Sequence, residues 1–167
     1  MFFKMIRNAT LDDVSSLNKI YNYEVLNTTV TFDTLPRDNS VGIKWFLAHN
    51  ETNHPIFVYV DENNDVVGYC SLSPYRFLDA YAQTVEISLY VHKDFRKQGI
   101  GRELCRYVLE YAKNRDDIHN IIAVITTDNE KSINLFKSFG FEDGGTIPQT
   151  GRKFGKLLSI TNLYKII

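Results

Sequence analysis

The chain is poor both in residues that staple small proteins and in charge that recruits polyanions. Its two cysteines, Cys70 and Cys105, lie far apart in strand-like and helix-like surroundings and read as buried free thiols, not as a disulfide frame or a nucleophile. The four histidines, His49, His54, His92 and His119, have no metal-ligand spacing, and no metal is expected. Nineteen basic residues against twenty acidic ones leave a formal charge of −1. That balance provides no global field for nucleic acid or an acidic membrane, so neither is an expected partner and any phosphate site must be local. No apolar run approaches a bilayer span, and no repeat or low-complexity tract occurs. Met1 to Arg7 begins like a signal peptide, but no apolar core follows Lys4, and a cytoplasmic location is expected.

What the chain does contain describes an ordinary globule: 44% hydrophobic and 23% charged residues in 167, expected to form one domain over 1–167. Its most informative stretch is Thr84 to Arg102, TVEISLYVHKDFRKQGIGR. Thr84, Glu86, Ser88 and Tyr90 alternate with Val85, Ile87, Leu89 and Val91, the period of a half-buried strand with a carboxylate in its middle. A helical pattern then starts at Gly101, with Leu104, Val108 and Tyr111 on one face, and is expected to run to Asn114. Between them, Gly99 and Gly101 permit positive φ and close approach, while Arg96, Lys97 and Arg102 add charge at a helix start whose N–H groups lack partners. This turn suits a pyrophosphate, or it is a plain strand-to-helix turn with glycines for tightness. Gly101 is followed by Arg102-Glu103, so it is no Walker loop, and Leu104 replaces the third glycine of a dinucleotide fingerprint.

The remaining chain reads in order. Lys4 to Asn8 is a strand, and Thr10 caps a helix carrying Leu11, Val14, Leu17, Ile20 and Tyr21. Thr28 to Pro36 is an irregular loop, and Asn39 or Ser40 starts a second helix to about His49. Ile56 to Val60 and Val66 to Leu72 flank a hairpin turn. Ile121 to Thr126 is a strand covered on both faces, and Asp128 or Asn129 caps a helix stopped by Gly140. Phe141 to Ile147 and Leu157 to Tyr164 are final strands separated by Pro148, Gly151 and Gly155. The class is mixed α/β.

Arg96, Gly99 and Gly101 after a strand, followed by Asn129 opening a helix that ends in Gly140-Phe141, resemble the two signatures of the GNAT superfamily of N-acyltransferases. Thr28 to Pro36 and Ala80-Tyr81 before Thr84-Val85-Glu86 are most similar to its phosphinothricin acetyltransferase type, and the resemblance covers nearly the whole chain. It implies a mostly antiparallel sheet of about seven strands, splayed between the fourth and fifth, flanked by about four helices. It further implies acetyl-CoA as co-substrate, a small amino-acid-like amine as acceptor, and a homodimer. Residues 96–102 (Arg96, Lys97, Gln98, Gly99, Ile100, Gly101 and Arg102) would hold the diphosphate. The backbone of Leu89, Tyr90 and Val91 would hold pantetheine and the thioester oxygen, with Asn129 and Ser132 on the opposite wall.

Glu86 is then the general base; read without the resemblance, it is a strand carboxylate paired across the sheet. Phe32, Tyr75, Arg76 and Tyr81 would line the acceptor site, with Phe32 serving equally as a core anchor and Asn129 equally as a bare N-cap. Two positions depart from the family. Phe136 stands where relatives carry a Tyr or His acid, leaving Ser132 as a donor candidate, and Leu78 replaces a basic residue, with Arg76 two positions away. Two other functions remain open: acetylation of a protein N-terminus or side chain, and a non-catalytic acyl-CoA-binding module, which Phe136 favours.

Overall fold

The computed structural model describes residues 5–167; Lys4, the expected start of the first strand, and the leader-like residues before it lie outside them. Strand β1 (Met5–Asn8) is followed by helices α1 (Val14–Asn27) and α2 (Asn39–Leu47), then β2 (Ile56–Val60), β3 (Val66–Pro74) and β4 (Thr84–Val91). Helix α3 (Ile100–Lys113), β5 (Asn120–Thr126), α4 (Glu130–Ser138), β6 (Glu142–Lys153) and β7 (Lys156–Ile166) complete the chain. The seven strands form one sheet in the order β1-β2-β3-β4-β5-β7-β6, antiparallel everywhere except between β4 and β5. The class and the order of elements are those the sequence implies.

Alternation along the central strands creates two cores. Cys70 and Leu72 of β3 and Val85 and Ile87 of β4 pack under Leu104 and Val108 of α3 and Phe136 of α4. The other face carries Val58, Val60 and Tyr69 against Leu17 and Ile20 of α1, with Trp45 and Phe46 of α2 beside them. Both thiols are buried and free.

Local chemistry fixes the helix ends. Asp38, one residue ahead of the expected cap, accepts the Val41 N–H at 2.8 Å to start α2. The helix stops at Leu47, and His49 turns its ring back onto the Trp45 carbonyl at 2.7 Å. Asn129 caps α4 by accepting the Ser132 N–H, and Gly140, at φ +81°, ends it in the left-handed region.

One expectation is corrected. Pro148 and Gly151 do not separate the last strands but lie inside β6, and the turn is Phe154-Gly155, both at positive φ. Proline is tolerated because β6 is the sheet's edge, where a missing N–H breaks no ladder, and the register slips between Ile147 and Gly151.

Asp13 ties β1 to α1. It receives Arg7 at 2.7 and 3.0 Å and the Thr10 N–H at 2.7 Å. Burial pushes its carboxyl up, but the Arg7 and Thr10 hydrogen bonds outweigh this and hold it below its ordinary range. Because the native carboxyl titrates below the unfolded one, its stabilisation is complete at neutral pH and lost as pH falls through about 4 and below. Urea unfolding of Asp13→Asn is expected to show a loss of about 1.5–3 kcal/mol at pH 7 that shrinks towards pH 3.

Candidate functional site

Strands β4 and β5 pair only over Thr84–Glu86 with Asn120–Ile122. Beyond Glu86 they part, because β5 is paired along its whole length with β7 while β4 stays with β3. The β4 edge from Ile87 to Val91 therefore faces an open cleft without a strand partner, as the expected splay requires. At its far end the chain curls through Lys97 (φ +62°) and Gly99 (φ +84°), where a Cβ would touch nothing within 4 Å. Glu103 N–H to Gly99 O, at 3.0 Å, is the first bond that enters α3. Among the described residues no acceptor meets the N–H groups of 98–102. Such a row of unpartnered donors at a helix start fits an anionic diphosphate.

Several expected ligands of that group are placed differently from one another. Lys97, Gln98 and Arg102 are exposed, whereas the Ile100 side chain is buried in the core and offers only its backbone. Gly101 is not left-handed but helical; a Cβ there would sit 3.6 Å from Leu89 and 3.7 Å from Val91, in ordinary contact. Arg96 does not stand free over the loop. Its guanidinium pairs with the buried Glu24 carboxylate of α1 and donates to Val91 O at 3.2 Å. Asn129 caps α4 through its Oδ1, which accepts the Ser132 N–H, and Phe136 is sealed in the core edge-to-face against Phe141 at 5.1 Å.

A cavity of about 270 Å³ opens on the other face of the same strands. Its floor is a ladder of directly opposed β3–β4 pairs: Ser73 with Glu86, Ser71 with Ser88, Tyr69 with Tyr90. Burial raises the Glu86 carboxyl above its ordinary value and Arg76 partly opposes this. Glu86 makes no ion pair among the described residues, so the cross-sheet partner that a strand carboxylate would ordinarily have is missing. Its opposite residue, Ser73, binds His49 Nε2 at 2.9 Å instead.

The loop between α1 and α2 forms the roof and is tied to α1, β5 and β6. Thr28 Oγ1 donates to Glu24 at 2.9 Å, Thr126 Oγ1 to Thr29 O at 2.7 Å, and the buried Lys153 Nζ to Thr31 O at 2.8 Å. Tyr21 binds Thr31 and Asp33, and burial followed by the Asp33 bond pushes its hydroxyl up to about 12. Phe32 lines the cavity and lies so near Gly151 of β6 that a Cβ there would be 2.5 Å from its ring.

Of the other acceptor-site candidates, Tyr75, Arg76 and Tyr81 cluster outside the cavity lining, Arg76 over Tyr75 at 5.1 Å and the two tyrosines edge-on at 5.7 Å. Sequence reasoning missed Tyr21, Arg37, Trp45 and the serines of the floor. The polar residues at alternate positions of β3 and β4 carried a readable signal; Arg37 sits in a segment without periodicity and carried none. No described helix is long and apolar enough to cross a membrane, and among the described residues no cluster of His, Cys, Asp and Glu could hold a metal ion.

Residues 17–141 match the model of a family described as Acetyltransferase (GNAT) family. An L-methionine sulfoximine/L-methionine sulfone acetyltransferase of Pseudomonas aeruginosa is 36% identical over 156 residues, 93% of this chain and 90% of that protein. A phosphinothricin acetyltransferase from Sinorhizobium meliloti, solved in complex with AcCoA, superposes with TM-score 0.91 at 30% identity, over 98% of this chain and 88% of the other. A ribosomal-protein-alanine N-acetyltransferase from Brucella melitensis superposes with TM-score 0.92 at 36% identity, over 98% and 99% of the two chains.

The Glu24 side chain is 6% exposed and that of Arg96 42%, so loss of the arginine strands a buried carboxylate. Arg96→Ala is expected to cost about 2 kcal/mol in urea unfolding, against under about 0.5 for Lys97→Ala. Adding Glu24→Gln to Arg96→Ala is expected to recover part of the loss, because it removes the stranded charge.

Proposed function

We propose that this chain, which belongs to the acetyltransferase (GNAT) family, transfers the acetyl group of acetyl-CoA to the amine of a small amino-acid-like acceptor. The observation that carries this reading is a carboxylate without an ion pair among the described residues, Glu86, at the head of a small cavity and beside the strand edge that faces the cleft. A cavity of about 270 Å³ is below the roughly 300–1,000 Å³ typical of drug-sized ligands, which suits a single amino acid.

Acetyl-CoA supplies a thioester whose carbonyl carbon accepts the amine nitrogen as the thiolate leaves. This chain's part is to bind, orient and move protons. The N–H groups of 98–102 hold the diphosphate, and the unpaired β4 edge at Leu89, Tyr90 and Val91 aligns the pantetheine and carbonyl beside Glu86. An amino acid arrives as an ammonium ion, and Glu86 takes its proton. The raised pKa of that carboxyl brings it nearer to neutral pH, where a base works best. Phe136 has no proton to give the departing thiolate, so solvent or Ser132, on the opposite wall with Asn129, does so. Phe32 walls the acceptor side, and Arg76, whose field reaches Glu86, holds the acceptor carboxylate next to the amine, with Tyr75 and Tyr81 supporting it.

We further propose a homodimer, supported by the exposed Phe77 and Leu78 beside this rim and by Phe154 and Leu157 on the last hairpin, and a place in the cytoplasm with the acetyl-CoA pool. A second reading, acetylation of a protein N-terminus, draws on the relative from Brucella melitensis; faster turnover of peptides than of free amino acids would select it.

Glu86→Gln is expected to lower turnover at neutral pH by about 10²-fold or more with unchanged acetyl-CoA affinity, measured as thiol release and by calorimetry. The acid limb of kcat/KM for the acceptor is expected above the ordinary glutamate value of about 4.3. Arg76→Ala removes the cation that opposes the rise, so it should move that limb further up.

A further inference from the structure

Two charged side chains line the cavity, and the proposed chemistry uses Glu86 but leaves Arg37, whose setting is well built, without work. Its backbone is clamped on both sides by the Asn22 side chain, which donates to Arg37 O at 2.8 Å and accepts the Arg37 N–H at 2.8 Å. Its guanidinium lies 3.8 Å from the centre of the Tyr21 ring and 4.8 Å from that of Trp45. Stacking of this kind covers the flat faces of a guanidinium and leaves its N–H edges for a ligand. Among the described residues no carboxylate pairs with it: Asp33 accepts from Tyr21, and Asp38 caps α2. A cation already immobilised, and without a counter-ion, has a ligand's share of its bonding left over.

Its place in the cavity identifies which part of the acceptor it meets. Tyr21 and Trp45, on which Arg37 stacks, touch Tyr90 and Tyr69, the rung of the cavity floor farthest from Glu86. Tyr90 is four steps along the strand from Glu86, roughly 13 Å at about 3.3 Å per residue. Between the two ends lies the Ser71–Ser88 rung, and the Ser71 hydroxyl is buried without a hydrogen-bond partner. The α-carboxylate of an amino acid is two bonds from its amine and must stay at the Glu86 end, within reach of Arg76. What extends along the floor, past the unpartnered serine to Arg37, is the side chain.

Resting on the acetyltransferase reading above, we infer that Arg37 binds an oxyanion at the far end of the acceptor's side chain, so that the preferred acceptors are α-amino acids ending in a carboxylate or phosphinate. Arg37 is then a specificity-determining residue, separate from the proton chemistry at Glu86. A neutral side chain of similar length gives the guanidinium hydrogen bonds but no charge to balance.

The test is calorimetric binding in the presence of CoA, which needs no turnover, with phosphinothricin, L-glutamate and the neutral methionine sulfone as probes. Wild-type protein is expected to bind one or both anionic probes at least tenfold more tightly than the sulfone, phosphinothricin reporting a phosphinate and glutamate a carboxylate. Arg37→Met is expected to remove that preference, weakening the anionic probe 10- to 100-fold and the sulfone less than threefold. Arg37→Lys, which keeps the charge but loses the fork, should fall between them, and unchanged CoA affinity in both variants reports an intact fold. Equal effects of Arg37→Met on all three probes, or a wild-type preference for the sulfone, would overturn the assignment. Thiol release with the same probes separates this from the parent reading: selective binding without any amine-dependent thiol release keeps Arg37's role and removes the transferase.

Discussion

The open strand edge in the middle of the sheet, on which the cleft depends, comes from the early parting of β4 and β5. Parallel strands that keep company for three residues and then diverge leave hydrogen-bonding groups facing open space in the middle of a sheet, a position where an edge is ordinarily closed or protected. Here β5 is held by β7 along its length and β4 by β3, so neither can swing across to close the gap. The same divergence aims α3 with its start at the cleft, bringing the N–H groups of 98–102, which meet no acceptor among the described residues, to one end of the exposed edge and Glu86 to the other. A ligand that satisfies both ends at once supplies what the sheet itself lacks.

The opposite face is organised by polarity. Alternation along β3 and β4 sends their aliphatic residues under α3 and their serines, tyrosines and one glutamate under α1 and α2. That side is therefore a polar floor within a packed protein, and its carboxylate titrates high because burial removes water from it. The roof over it has no regular structure, yet it is held by side-chain hydrogen bonds to α1, β5 and β6. Lys153 shows how this works: its ammonium group is buried to hold one loop carbonyl, a cost that only a position-critical contact offsets.

Two residues changed meaning once placed in space. Arg96 looked like a phosphate ligand because it stands beside the glycines, but its charge is answered by Glu24, a helix residue with nothing in its neighbourhood to announce the pairing. Phe136, the departure from the family pattern, is a core residue packed on Phe141. What the loop offers an anion is thus backbone N–H groups and the exposed Lys97 and Arg102.

The sequence by itself determined the elements whose cause is local. The alternation of Thr84 to Val91, the cap at Asn129, the stop at Gly140 and the glycine turn ahead of α3 are set by residues within one turn or one strand of each other. It also marked Glu86 as a carboxylate facing away from an apolar side. Tertiary structure alone decided that β6 runs through Pro148, because only a sheet edge tolerates the missing N–H. It likewise decided that Arg37 reaches the cavity and that Gly151 makes room for Phe32. Those contacts join residues widely separated along the chain, and their energy depends on packing and burial that no local pattern encodes.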